Sequence, residues 1–282
     1  KARSVETVIT DENGYWEFNR AVEGAVYSIR YHHERYGFAV NNVKCTAVQG
    51  KIQLDDGSAK LLIENAEAED STLFTYGVLN GSYIKITGYT GSKTNLVIPG
   101  EIDGYTVQEI AGKAFQNNTR IETVIIPESV TTIRDYAFSG CTALKYVGFP
   151  EKLETIWNSA FYNCPSLTEV NLPGSLKTIY AYAFDSCTSL TEMNLPDSVE
   201  TLGYRVFKNC TGLTKANYPM GWTSSPGGNG SYNNEHGGIF YGCSSLKSIR
   251  IPDGVTKVTP YAFAGASSLT EVILPESVTE IG

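Results

Sequence analysis

Histidine is scarce in this chain of 282 residues: only His32, His33 and His236 are present. That leaves little material for acid–base or metal chemistry. The stretch His32-His33-Glu34-Arg35 has no second histidine four residues on, so it is not the zinc-protease helix motif. Adjacent residues of a strand point to opposite faces, so His32 and His33 would not converge on one ion. No Gly-x-Ser-x-Gly elbow, Walker sequence or dinucleotide glycine fingerprint occurs. Catalytic residues, metal and cofactor are therefore all expected to be absent, because no nucleophile, base and orienting group can be assembled. Positive charge is short as well: 22 Lys and Arg face 30 Asp and Glu, for a net charge of −8. Without a basic footprint or a Lys/Arg-rich run, nucleic acid and anionic membrane surfaces are excluded as partners. No apolar run approaches the roughly 20 residues that span a bilayer as a helix, so no membrane insertion is expected. Long amphipathic helical patterns are missing too. With 27 glycines and 18 tyrosines, the composition is that of a β-rich, turn-rich protein. Residue 1 is Lys and no signal-peptide pattern follows, so the chain is expected to be mature or trimmed.

What fills the chain instead is a repeat. Pro99, Pro127, Pro150, Pro173, Pro196, Pro219, Pro252 and Pro275 follow apolar or aromatic residues at spacings of 28, 23, 23, 23, 23, 33 and 23. Phe115, Phe138, Phe161, Phe184, Phe207, Phe240 and Phe263 are spaced 23, 23, 23, 23, 33 and 23. Two independent landmarks share one period and one interruption. In Leu167-Thr-Glu-Val-Asn-Leu-Pro173, Val170 and Leu172 alternate with Glu169 and Asn171, which predicts a short half-buried strand ended by the proline. Leu176 and Ile179 then lie on the return path, and Ala183, Phe184 and Cys187 have the spacing of a helical turn. One unit cannot cover its own apolar side chains, so stacked units must bury one another and the phenylalanines should form a continuous internal column.

The pattern resembles the BspA-like (Treponema-type, 23-residue) class of leucine-rich repeat, whose signature reads Leu-Pro-x-Ser-Val-x-x-Ile-x-x-x-Ala-Phe-x-x-Cys. It covers residues from about 95 to 282. The resemblance implies a mainly β fold: a solenoid with a concave parallel sheet and short helical turns on the return side. Five extra residues sit in the unit at Gly100–Phe115, and ten after Pro219. The chain stops at Val-Thr-Glu-Ile-Gly282, in mid-unit, so the natural protein is expected to continue.

Before about residue 70 the period vanishes. Asn13-Gly14 is a favoured hairpin turn, and Trp16 and Phe18 alternate after it, as do Tyr27, Ile29 and Tyr31. Thr10–Gly14, Phe18, Gly24, Tyr27 and Tyr36-Gly37 resemble the carboxypeptidase-regulatory or collagen-adhesin B-type β-sandwich. We expect a small sandwich-like domain, either truncated or reduced, over 1–69 and a solenoid over 70–282. Its start at 70–95 is read as a capping hairpin, followed by about seven repeats.

Five of the six cysteines, Cys141, Cys164, Cys187, Cys210 and Cys243, follow the repeat phenylalanine by three residues. The same position holds Asn118 and Ala266 in two other units. A position that accepts alanine wants a small buried group, so these are expected to be free thiols. They do not report the redox compartment.

Outward strand positions form two columns. One runs Thr123, Tyr146, Glu169, Glu192, Lys215, Ser248, Glu271; the other runs Ile125, Gly148, Asn171, Asn194, Asn217, Arg250, Ile273. They are either a solvated face on which the asparagines ladder their amides, or the binding surface that solenoids generally use. The segment Met220–Gly238 is either a tolerated surface insertion or a recognition loop carrying Trp222, Tyr232 and His236. The candidate ligand-binding residues are therefore Tyr146, Glu169, Asn171, Glu192, Asn194, Lys215, Asn217, Trp222, Tyr232, His236, Ser248 and Arg250. The family resemblance implies an exported bacterial cell-surface protein that adheres to protein or glycan on host or neighbouring cells. A polysaccharide-binding accessory module and a purely structural spacer are the alternatives.

Overall fold

A computed structural model describes residues 26–33, 38–48, 51–54, 68–220, 238–258 and 262–281, the first three segments as backbone. The chain divides into two compact units, Lys1–Glu67 and Ala68–Gly282. In the first, β1 (Val26–His33), β2 (Phe38–Val48) and β3 (Lys51–Leu54) form an antiparallel sheet in that order. His32 and His33 are consecutive in β1. Asn13-Gly14, Trp16, Phe18, Gly24 and Tyr36-Gly37 lie outside the described residues.

The second unit opens with an antiparallel hairpin of β4 (Phe74–Asn80) and β5 (Tyr83–Tyr89). Next come β6 (Asn95–Val97), β7 (Glu101–Ile102) and β8 (Tyr105–Ile110). The five extra residues of this unit fold as a tight β7–β8 hairpin through Asp103 and Gly104, at φ of 52° and 80°. Each later turn repeats two short strands: β9 (Thr123–Ile125) with β10 (Thr132–Ile133), β11 (Tyr146–Gly148) with β12 (Thr155–Ile156), β13 (Glu169–Val170) with β14 (Thr178–Ile179), and β15 (Glu192–Met193) with β16 (Thr201–Leu202). After β17 (Lys215–Asn217) come β18 (Ser248–Arg250), β19 (Lys257–Val258), β20 (Glu271–Ile273) and β21 (Glu280–Ile281).

The first strands of successive turns pair in parallel as β6–β9–β11–β13 and β15–β17–β18–β20, joined by a bridge between Asn171 and Asn194. The second strands form another parallel sheet, β5–β8–β10–β12–β14–β16, edged by β4. The return path read from Leu176 and Ile179 is therefore itself a sheet. Thr132, Thr155, Thr178 and Thr201 stand in register along it, with Ile133, Ile156, Ile179 and Leu202 beside them and turned inward.

The helical turns expected on the return side do not form. Among the described residues the helical segment is the three-residue 3₁₀ turn Ser71–Leu73, before the solenoid. Two residues before Phe115, Phe138, Phe161, Phe184 and Phe207, the residues Lys113, Tyr136, Ser159, Tyr182 and Arg205 have φ between 54° and 66°. Two residues after the phenylalanine, Asn117, Gly140, Asn163, Ser186, Asn209, Gly242 and Gly265 have φ between 55° and 77°. Left-handed residues this close together break an α-helix. Their N–H groups, with that of the phenylalanine, bond to the next turn instead: Tyr136 to Asn158, Phe138 to Ala160 and Gly140 to Tyr162, at 2.7–3.0 Å. The corner thus supplies a third ladder between turns, and its carbonyl and amide groups are paired without a helix.

The core lies between these ladders. Phe115, Phe138, Phe161, Phe184, Phe207 and Phe240 stack in one column with centroids 4.8–5.8 Å apart and planes within 16°. Phe263 is half-buried at its end, and Tyr89 and Phe74 close the start. Each buried ring contributes about 1.5–3 kcal/mol.

Candidate functional site

Both columns of the first sheet stand in the expected register, but the second does not face outward at its start, where Ile125 and Gly148 are buried. Tyr146 lies between Thr123 and Glu169, and Lys215 between Glu192 and Ser248. Asn217 faces Arg250, which in turn faces Ile273. Tyr146, Glu169, Asn171, Glu192 and Asn217 are half-buried, whereas Asn194, Lys215, Ser248 and Arg250 are exposed.

The asparagines do not ladder their amides. The Asn171 amide donates to the Glu169 carboxylate. Asn217 clamps the chain beside it, its Oδ1 accepting from the Leu195 N–H at 2.6 Å and its Nδ2 donating to the Leu195 carbonyl at 2.8 Å. A backbone group offers a fixed partner where a second amide would have to be oriented, so Asn217 serves the strand pairing. Lys215 sits 4.0 Å from Glu192 and is 74% exposed, so its ammonium is loosely held and mostly in water. Trp222, Tyr232 and His236 lie outside the described residues.

The five repeat cysteines are buried free thiols. Each Sγ donates to the carbonyl of the preceding turn's phenylalanine, at 3.0–3.3 Å. Burial pushes Cys141 and Cys243 up to about 12, and Cys164, Cys187 and Cys210 well above the ordinary thiol value. Neutral thiols of this kind are poor nucleophiles and poor metal ligands. Among the described residues, no three His, Cys, Asp or Glu side chains lie close enough to hold a metal ion.

The second sheet carries residues that the sequence reading missed. One position beyond its inward Ile or Leu, successive turns hold Arg134, Trp157, Tyr180 and Gly203. The Trp157 and Tyr180 rings stack at 4.5 Å and 18°, and the Arg134 guanidinium lies 4.9 Å from the Trp157 centroid. The signal was available as two aromatics 23 residues apart at one repeat position. It is hidden because the return path through Leu176 and Ile179 carries no strand alternation, so nothing in the spacing says which way the residue after Ile179 faces.

The family model for the BspA type leucine rich repeat region matches residues 108–236 and 234–282 in six copies. No relative was found among curated proteins. Among solved structures, the leucine rich repeat protein of T. pallidum is 32% identical, with 77% of this chain and 86% of that chain covered and a TM-score of 0.58. A leucine rich cell surface protein from Faecalibacterium prausnitzii is 18% identical, covering 75% of this chain and 95% of that one, with a TM-score of 0.34. The pneumococcal vaccine antigen PcpA is 21% identical, covering 73% and 69%, with a TM-score of 0.40. With the repeat model spanning more than half its length and the stacked-turn fold beneath it, the chain belongs to the BspA-type leucine-rich repeat family.

Proposed function

We propose that this chain is an exported, non-enzymatic binding protein of a bacterial surface, recognising a protein or glycan on host or neighbouring cells. The observation that carries the reading is the cluster of exposed polar side chains Lys215 on β17, Ser248 and Arg250 on β18, and Asn194, one residue beyond β15. Parallel strands hold these side chains at fixed spacing on a stiff face, so a partner meets them with little ordering cost. Lys215 and Arg250 place two cations on neighbouring strands of an acidic chain, which favours an acidic or sulfated partner. The Met220–Gly238 segment follows β17 directly in sequence and is proposed to border the site.

The experiment is a panel of matrix proteins, intact cells and sulfated glycans tested against the whole chain. Arg250→Ala and Lys215→Ala should each weaken the ligand so found by about 10-fold, equivalent to about 1.4 kcal/mol. Raising salt should weaken it further. A ligand whose affinity is moved less than 2-fold by both changes, and by trimming the Met220–Gly238 segment to the repeat period, binds elsewhere and ends this reading. The surface location is tested separately by labelling intact cells with antibody to the chain.

A further inference from the structure

Each corner of the solenoid is a tight turn around its phenylalanine, closed by an N–H just after the ring on a carbonyl just before it. Ser139 donates in this way to Tyr136, Tyr162 to Ser159 and Asp185 to Tyr182, at 3.0–3.1 Å. The corner ladder holds Tyr136, Ser159 and Tyr182 at equivalent places on successive turns, their N–H groups bonding to Asn158, Ala181 and Tyr204. In each of these turns one of the two closing positions carries a tyrosine and the other a short side chain: Tyr136 with Ser139, Tyr162 with Ser159, Tyr182 with Asp185. The short side chains are buried, whereas Tyr136 is 40% and Tyr162 41% exposed and Tyr182 is half-buried. Three tyrosines thus zigzag along the corner, with Tyr162 between the other two. Among the described residues, none accepts a hydrogen bond from their hydroxyls. The polar side chains beside them are engaged. Lys208 Nζ lies 3.4 Å from Asp185 Oδ2 and 5.8 Å from the Tyr182 ring centroid, and the Asn158 amide donates to Asp135 at 2.8 Å. Phenol hydroxyls and ring faces are therefore what a partner meets here.

From this arrangement we infer a second docking surface, independent of the one on the first sheet, for an uncharged proline-rich peptide lying along the solenoid axis over Tyr136, Tyr162 and Tyr182 in the polyproline II conformation. Spacing is the first argument. Neighbouring strands stand about 4.8 Å apart, so Tyr136 and Tyr182, two turns apart at one corner position, are separated by about 9.6 Å. Three residues of a polyproline II helix rise about 9.3 Å. Every third residue of such a peptide meets an equivalent tyrosine, and a residue between them meets Tyr162. Hydrogen bonding is the second argument. A polyproline II helix makes no internal hydrogen bonds and proline has no N–H, so the peptide offers carbonyl acceptors to the phenol donors. A sugar needs acceptors for its own hydroxyls, and Asp135 and Asp185 are already engaged. Charge complementarity is the third. The net charge of −8 disfavours an acidic partner, and a cationic one finds Asp185 buried and taken by Lys208, so an uncharged segment fits best. Pyrrolidine C–H groups pack on the electron-rich ring faces, and a peptide already extended loses little freedom on docking.

The test uses the whole chain with decaproline as the probe, a Gly-Ser repeat peptide of equal length as the flexible comparison and cellohexaose as the sugar comparison, read by calorimetry. Decaproline is expected to bind at least 10-fold more tightly than the Gly-Ser peptide. Tyr136→Ala and Tyr162→Ala should each lower its affinity at least 5-fold, and Tyr162→Phe about 3-fold, because that change removes the donor and keeps the ring. Arg250→Ala should leave it unchanged, which separates this surface from the one on the first sheet. Unaltered circular dichroism of Tyr162→Phe keeps the test valid if either alanine variant fails to fold. No decaproline binding at millimolar concentration, equal binding of the Gly-Ser peptide, binding insensitive to Tyr136→Ala and to both changes at Tyr162, or binding of cellohexaose alone would each overturn the inference.

Discussion

At the scale of single residues, the thiols show how a repeat uses chemistry without reacting. Each repeat cysteine fills a small buried space and gives its proton to a carbonyl one turn back, so thiol and packing group are the same object. Asn118 solves the same position differently, its Oδ1 accepting from the N–H groups of Arg120 and Ile121. The five thiols should be inert to a disulfide reagent in the native protein and should react once it is denatured without reductant. Fewer than three reacting would mean that they are bridged. Their raised pKa also sets a pH dependence. For Cys141 the ordinary value of 9.0 becomes about 12 because burial disfavours the thiolate. A folded pKa above the unfolded one gives stability that is full below about pH 9 and is lost as pH rises toward 12. Denaturant midpoints should therefore be flat below pH 9 and fall above it, and Cys141→Ala, which has nothing to ionise, should fall less steeply.

At the scale of the element, the corner around each phenylalanine is governed by the sign of φ. The position two beyond the phenylalanine is left-handed in every described turn, and Asn, Gly or Ser occupies it throughout. Gly and Asn, which fill all but the Ser186 position, tolerate that region best. Gly140 has φ of 74°, and a Cβ on it would meet the Asn117 Oδ1 at 2.3 Å. Gly140→Ala should cost about 1–2 kcal/mol in urea unfolding, the penalty of a left-handed alanine. Gly140→Asn should cost less, since Asn163 and Asn209 hold the same place at φ of 55° and 57°. Equal losses for the two would show that the Asn117 contact, not the backbone, decides. The serines two beyond the prolines act similarly between turns: Ser129, Ser175, Ser198 and Ser277 each donate to a carbonyl 22 residues back, at 2.6–2.9 Å.

Over the whole solenoid, stability is a sum over neighbouring turns, so one lesion is felt on both sides. Phe184 stacks on Phe161 at 5.2 Å and on Phe207 at 5.7 Å. Phe184→Ala should cost about 3–5 kcal/mol through lost burial and a cavity. Amide exchange should quicken first in β13 to β16 and less in β6 to β9. A loss below about 1 kcal/mol, or uniform exchange, would contradict the nearest-neighbour picture.

The repeat period and the phenylalanine column were legible in the sequence because burial recurs with a period that alignment of the chain on itself reveals. So was the register of Tyr146, Glu169, Glu192, Lys215 and Ser248, since equal spacing in sequence becomes adjacency once turns stack. Thiol burial followed from the interchange of Cys with Ala266. Three matters were decided only in three dimensions. Ala183, Phe184 and Cys187 have helical spacing, yet the left-handed φ of Tyr182 and Ser186 among them, which spacing does not encode, turns the N–H groups of Tyr182, Phe184 and Ser186 outward to the next turn. Spacing leaves Asn217 either in an amide row or on a binding face, but the Leu195 backbone lies within its reach and claims both of its hydrogen-bonding groups. Trp157 and Tyr180 stack because the return path is a sheet whose pitch is close to the spacing of stacked rings. Periodicity specifies which residues share a column; backbone conformation specifies which way each column faces and what it meets there.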